Sequence, residues 1–187
     1  VFVEPVVTKE RDSTEADNIL PDLVVNPKSA LVLAQPEFGQ TCLCHYLRLE
    51  AHKQGSFWVY VDARHTKTRK VMNFIKDQFE DFTVSKSHPD CILLDSWDGN
   101  IIDHANMLKC LDAEFPETPI LVMMSYTEPT FSESFSFSKL QHQFELLHLQ
   151  PLRRTRVREL VTKYSEAKNW PSSNDIVTNV VRDLEAL

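Results

Sequence analysis

Only three glycines occur in 187 residues, so where each one falls is informative. No apolar run approaches the roughly 20 residues needed to span a bilayer, which argues against a membrane helix. None of the four cysteines (Cys42, Cys44, Cys91 and Cys110) forms a Cys-x-x-C pair or a Cys/His zinc spacing. Cys42 and Cys44 lie two apart in a predicted helix, where their side chains diverge. Buried thiols of a cytoplasmic protein are therefore expected, rather than a metal centre or a disulfide framework. Basic residues are outnumbered, 20 Lys and Arg against 27 Asp and Glu, for a formal net charge of −7. On that balance no direct nucleic-acid partner is expected. Initiator methionine and signal peptide are both missing, and the sequence reads as a piece of a longer polypeptide.

What is present suits one well-buried domain of ordinary globular composition, 42% apolar and 25% charged. Residues 1–29 read as an N-terminal arm with a charged tract and a short helix or turn near 18–25. Strands are predicted at 30–34, 57–62, 91–95, 120–125 and 144–149. The runs Cys91-Ile-Leu-Leu94 and Ile120-Leu-Val-Met-Met124 have the unbroken apolar character of strands buried on both faces. Helical periodicity fills the intervals, from Gln40 to near Gly55, over Lys67–Phe79 and over Asn100–Phe115. Residues 153–168 and 173–187 read as two closing helices, the second capped by Ser173 or Asn174. Thr127–Gln143, rich in Ser, Phe and Pro, carries no clear pattern. The alternation implies an α/β fold, a parallel sheet of about five strands flanked by helices, over residues 30–150. A small helical region starts at 151–187.

The chemistry gathers on Ser29-Ala-Leu-Val-Leu-Ala-Gln-Pro-Glu-Phe-Gly-Gln-Thr-Cys-Leu43. A short apolar strand runs into a tight turn, Ala34–Gly39, and then a helix start at Gln40 and Thr41. That layout suits anion binding by backbone N–H groups and a helix N-terminus. Against the Gly-x4-Gly-Lys-Ser/Thr phosphate-loop pattern, Gly39 and Thr41 match, Ala34 replaces the first Gly and Gln40 replaces the Lys. The plain alternative is an ordinary strand–turn–helix with a polar turn.

Ligands of open α/β sheets bind at the carboxyl ends of the strands. Asp95 ends the third predicted strand and Asp98 follows three residues on. Thr41 and Asp95 would together hold Mg²⁺, the hydroxyl directly and the carboxylate through water. Ser125, closing the fourth strand, would face a γ-phosphate. Asp95 as a turn former or cap is the competing account. The histidines are scattered and none is assigned a role; His45 and His52 read as surface or packing residues. Arg153, Arg154, Arg156 and Arg158 read as a solvated helix face.

With these segments in order, the chain resembles the nucleotide-binding domain of STAND-class P-loop NTPases, particularly NACHT-like members. Val3-Glu-Pro5 resembles the Val-x-Pro segment that packs near adenine there. Ala34-Gln-Pro-Glu-Phe-Gly-Gln-Thr41 resembles the Gly-x-Pro-Gly-x-Gly-Lys-Ser/Thr loop, with the proline in register. Leu93-Leu-Asp-Ser-Trp-Asp-Gly99 resembles the Walker B signature, and Val122-Met-Met-Ser-Tyr126 the sensor strand. Leu149-Gln-Pro-Leu152 resembles the Leu-x-Pro-Leu that opens the small helical region. The resemblance implies ATP or ADP with Mg²⁺ as ligand. Its contacts would come from Val3, Pro5, Ala34, Gln35, Pro36, Glu37, Phe38, Gly39, Gln40, Thr41, Cys42, Ser125 and Pro151, with Asp98 as the catalytic acid. It also implies a regulatory module of a signalling or defence protein, whose partners are other domains of the same chain, separate proteins or a second copy.

Both motifs are degenerate. Gln40 removes a phosphate-binding cation, and Glu37 and Phe38 replace small residues. Gly99 stands at the last acid of Walker B and Tyr126 at the sensor Arg. Each loss falls on catalysis or phosphate recognition, so hydrolysis is expected to be weak or absent. A scaffold that binds no nucleotide and an active phosphoryl-transfer enzyme are the competing expectations.

Overall fold

The structure, a computed structural model, describes residues 3, 5–9, 18–81, 88–125, 137–152 and 154–167. Tyr126 and the helix predicted at 173–187 lie outside the described residues. In chain order the elements are β1 (Val7–Thr8), α1 (Leu20–Val25), β2 (Ala30–Ala34), α2 (Gln40–Lys53), β3 (Trp58–Asp62) and α3 (Thr68–Asp81). There follow β4 (Cys91–Trp97), α4 (Ile102–Glu114), β5 (Ile120–Ser125), a single 3₁₀ turn (Phe137–Lys139), β6 (Glu145–Leu149) and α5 (Arg154–Ala167).

Six strands form one sheet in the order β1-β6-β2-β5-β4-β3, and every neighbouring pair is parallel except β1 with β6. The unbroken apolar runs occupy the middle because both faces of those strands are covered. Val32, Leu93, Leu121 and Met123 point to the side packed by Leu43 and Leu47 of α2 and Leu20 and Leu23 of α1. Leu31, Ile92, Leu94, Ile120 and Val122 point to the other side, against Val71 and Ile75 of α3 and Met107, Leu108 and Leu111 of α4. Each such fully buried aliphatic side chain stabilises the fold by about 1.5–3 kcal/mol. The result is the expected three-layer α/β/α sandwich.

From β2 the chain crosses to the far edge at β3, returns through β4 and β5, and then passes β2 to place β6 on its other side. The reversal opens a crevice at the carboxyl ends of the central strands. At the β3 edge, the Gln78 side chain from α3 accepts from Tyr60 N–H (3.3 Å) and donates to Tyr60 C=O (3.0 Å), standing in for a neighbouring strand. α2 ends where Gly55, at φ +75°, turns the chain left-handed and donates to His52 C=O.

Two compact units divide the chain, Val7–Leu149 with the whole sheet, and Val1–Val6 with Gln150–Leu187. α1 falls where a short helix or turn is expected, and both β1 and α1 belong to the unit that carries the sheet. Asn18 accounts for this, its Oδ1 accepting from the N–H of both Val7 (3.0 Å) and Leu20 (3.3 Å). In the other unit, Glu159 on α5 pairs with Arg156 (3.0 Å) and Lys163 (2.7 Å) along the helix surface. Cys44 and Cys91 are buried as expected, whereas Cys42 is exposed, because α2 turns that position away from the sheet. Among the described residues no helix is long and apolar enough to cross a membrane.

Candidate functional site

The turn after β2 starts as a four-residue reversal in which Phe38 N–H donates to Gln35 C=O (3.3 Å). Pro36 stands second and Glu37 third with φ +69°, a place that a type II turn reserves for glycine. Gly39 follows at φ +87° and serves as the N-cap of α2. A Cβ at Gly39 would meet nothing closer than Cys42 at 3.9 Å, so its left-handed backbone, and not space, is what asks for glycine.

A glycine at position 37 is expected to relieve the strain and raise stability by about 0.5–1 kcal/mol, the left-handed cost less the extra entropy of glycine. Denaturant unfolding of Glu37→Gly measures it. A loss of stability would show that the carboxylate has a partner worth more than the strain.

Gln40 opens α2, and its amide turns inward to join two strands. Nε2 donates to Val32 C=O of β2 (3.0 Å) and to Met124 C=O of β5 (2.7 Å). Both amide hydrogens are thereby used, and the remaining amide oxygen is an acceptor with nothing to offer a phosphate. The position where a phosphate loop carries its lysine is a clasp here.

Thr41 Oγ1 donates to Asp95 Oδ2 (2.8 Å), and so does the Tyr60 hydroxyl (2.9 Å), while Ser96 N–H donates to Asp95 Oδ1 (2.7 Å). Asp95 is 1% exposed, and this shell is what keeps a buried carboxylate satisfied. Burial and then the bond to Asp95 push the Tyr60 phenol well above its ordinary range. A β-bulge between Leu94 and Trp97 puts Ser96 at φ +55° and sets the chain's direction as it leaves the sheet.

Beyond the bulge, Asp98 Oδ1 accepts from Asn100 N–H (2.9 Å) and Asn100 Nδ2 (3.0 Å), closing a short turn. His104 braces that turn from α4. Its Nδ1 accepts from Asp98 N–H (3.1 Å), and its carbonyl accepts from Trp97 Nε1 (2.9 Å). Because Nδ1 accepts a hydrogen bond, the ring is neutral with its proton on Nε2, and burial lowers its pKa in the same sense.

These turns enclose a cleft of about 560 Å³ at the carboxyl ends of β2, β4 and β5. Of the residues singled out in the sequence, it brings together Glu37, Gly39, Gln40, Thr41, Asp95, Asp98 and Ser125. Ala34, Gln35, Pro36, Phe38 and Cys42 do not line it. Phe38 instead packs half-buried against the core beneath α1 and α2, a use that its apolar ring makes favourable. Val3, Pro5 and Pro151 lie in the other compact unit.

Sequence reasoning missed Arg64, Trp97, His104 and Met124, which line the same cleft, and Tyr60 beside it. Arg64 had a usable signal, since it stands two residues past a strand's carboxyl end. His104 had none, as its role depends on how α4 returns over the β4 turn. Among the described residues, no three His, Cys, Asp or Glu gather as a metal cluster. A divalent ion would rely on Thr41, on Asp95 through water and on oxygens of its own ligand.

No protein-family model matches the sequence, and no curated protein matches it. Solved structures do match in shape. A DNA replication initiation factor superposes with a TM-score of 0.60 at 13% identity, over 88% of this chain and 54% of that one. Replication initiator DnaA bound to AMPPCP and single-stranded DNA gives 0.55 at 16% identity, over 90% of this chain and 57% of that one. AMPPCP-bound DnaA from Aquifex aeolicus gives 0.53 at 14% identity, over 87% and 54%. The chain thus spans just over half the length of these structures, and what it shares with them is the P-loop NTPase-like α/β fold.

Proposed function

We propose that this domain is a regulatory nucleotide-binding module with a degenerate STAND-type, NACHT-like site. It takes ADP or ATP with Mg²⁺ and hydrolyses it slowly or not at all. The observation that carries this reading is the Thr41–Asp95 pair, at 2.8 Å, at a helix start beside the Gly39 turn in the cleft. AMPPCP in two of the similar structures supports the same ligand class. Thr41 and Asp95 hold the metal, which when bound offsets the phosphate charge. The backbone of Gly39, Gln40 and Thr41 and the Ser125 hydroxyl face the phosphates from the wall of the cleft. The module works in the cytoplasm inside a longer signalling or defence protein, with the other domains of that protein as its partners.

Thermal unfolding with ADP and ATP, with and without Mg²⁺, tests the reading on the natural chain and on Gln40→Lys. A ligand at a hundredfold excess over its Kd adds about 2.7 kcal/mol of stability. A Mg²⁺-dependent rise in Tm is expected in the natural chain and a larger one in Gln40→Lys. A second reading, a scaffold that binds no nucleotide, is favoured by the Gln40 clasp and the Glu37 carboxylate in the cleft, and silence of both proteins would establish it. An active enzyme using Asp98 is the third. Turnover abolished by Asp98→Ala would support it, although that carboxylate is already engaged by Asn100.

A further inference from the structure

The cleft as described is poor in positive charge. Glu37, Asp95 and Asp98 bring carboxylates to its wall, Gln40 is turned inward, and His104 is neutral. Among the described residues that line it, Arg64 is the one cation. We infer that Arg64 is the phosphate-binding cation of this cleft, supplied from the turn after β3 in place of the lysine position that Gln40 has converted into a strand clasp. The inference rests on the nucleotide-binding reading above and specifies how the ligand's phosphates are held.

The turn that carries Arg64 is built to present it. Asp62 lies opposite Asp95 in the β3–β4 register, and Ala63 N–H donates to Asp95 C=O (3.0 Å), stitching the turn to the end of β4. The Asp62 carboxylate accepts from Arg64 N–H (3.0 Å), Nε (3.2 Å) and Nη2 (3.1 Å), and His65 Nδ1 lies 2.8 Å from the same group. One edge of the guanidinium is therefore fixed, and the Nη1 edge makes no hydrogen bond among the described residues. The side chain stays 57% exposed, within reach of a ligand entering from solvent. A planar, permanently charged fork with one edge anchored suits a phosphate better than a mobile lysine does. As a surface ion pair Arg64–Asp62 contributes little to folding, so Arg64 variants should fold.

The test is calorimetric titration of the 187-residue chain with MgADP and with adenosine, in the natural form, Arg64→Gln, Arg64→Lys and Arg64→Gln with Gln40→Lys. Arg64→Gln is expected to weaken MgADP by about tenfold or more, the loss of one charge-assisted contact. Adenosine should be unchanged, Arg64→Lys intermediate, and the Gln40→Lys background should restore MgADP affinity. If the natural chain binds MgADP and Arg64→Gln binds it equally well, the inference is overturned while the nucleotide reading stands. If Arg64→Gln weakens adenosine as much as MgADP, Arg64 shapes the cleft rather than holding phosphate, which also overturns it. If the natural chain takes up neither ligand, the nucleotide reading fails and the inference with it.

Discussion

Replacing Asp95 by alanine is expected to destabilise the domain by about 3–4 kcal/mol, lowering Tm by on the order of 10 °C. The carboxylate accepts from the Thr41 hydroxyl, the Tyr60 hydroxyl and Ser96 N–H, and it is almost wholly buried. Removing it orphans those donors at about 1–3 kcal/mol for each one that water cannot reach. Thr41 and Tyr60 are only half-buried and recover part of the loss from cleft water, which is why the sum stays below the maximum. Asp95→Asn separates charge from hydrogen bonding. Its oxygen keeps Ser96 N–H, and both hydroxyls can rotate to accept from the new NH₂, so a loss of only about 1 kcal/mol is expected. Its Tyr60 phenol should titrate lower than in the natural chain, because the bond to a carboxylate is the second cause of the upward shift. The sign follows from linkage. A phenol raised in the folded state stabilises at neutral pH, and that contribution is lost as pH rises above about 10, where the unfolded chain ionises first. Ultraviolet titration of the phenols, beside denaturant unfolding, checks both. An Asp95→Ala protein as stable as the natural chain would mean that the network contributes nothing to the fold.

The main layout of this fold was legible in the sequence, and the reasons can be read at particular residues. Cys91–Leu94 and Ile120–Met123 are apolar throughout because both faces of β4 and β5 are covered, and no other common element asks for that pattern at that length. Gly39 marks the start of α2 because the left-handed backbone that leads into the helix is a local requirement that glycine meets. What stayed hidden is contact between distant segments. β1 is two residues long, and its pairing is dictated by β6 and Asn18, with no periodicity of its own. Gln40 reads in the sequence as a missing cation; that it clasps Val32 and Met124 depends on β5 lying next to β2. Arg64 and His104 reach the same cleft as Thr41 only because three connections end at one side of the sheet. The tract at 127–143, opaque by composition, holds at its end one of the best-connected histidines of the described chain, His142.

A second large effect is expected at that histidine and its partner, Asp112 of α4. Asp112 Oδ1 accepts from His142 N–H (3.0 Å) and lies 2.7 Å from His142 Nδ1, and Oδ2 accepts from Gln141 N–H (2.8 Å). The other ring nitrogen, Nε2, faces Thr118 C=O at 2.9 Å, so only the doubly protonated ring can donate to both neighbours. The two side chains are 8% and 6% exposed, and together they fasten the segment before β6 to α4 and to the turn before β5. Asp112→Ala should cost about 3 kcal/mol, since it leaves two backbone donors and a ring N–H unpaired in a dry site. His142→Ala should cost somewhat less, and the double variant less than the sum, with a coupling of about 1–3 kcal/mol in a double-mutant cycle. Burial works against the Asp112 charge, yet the N–H groups of Gln141 and His142 and the His142 ring outweigh it and hold the carboxyl below its ordinary value. A depressed carboxyl stabilises the fold above the unfolded-state pKa near 4, and that contribution drains away as pH falls through the lower folded value. Unfolding free energies of the natural chain and Asp112→Asn, followed from neutral pH to below pH 4, should therefore converge at the acid end. Parallel curves would show that the carboxylate charge is not what fastens α4 to this segment.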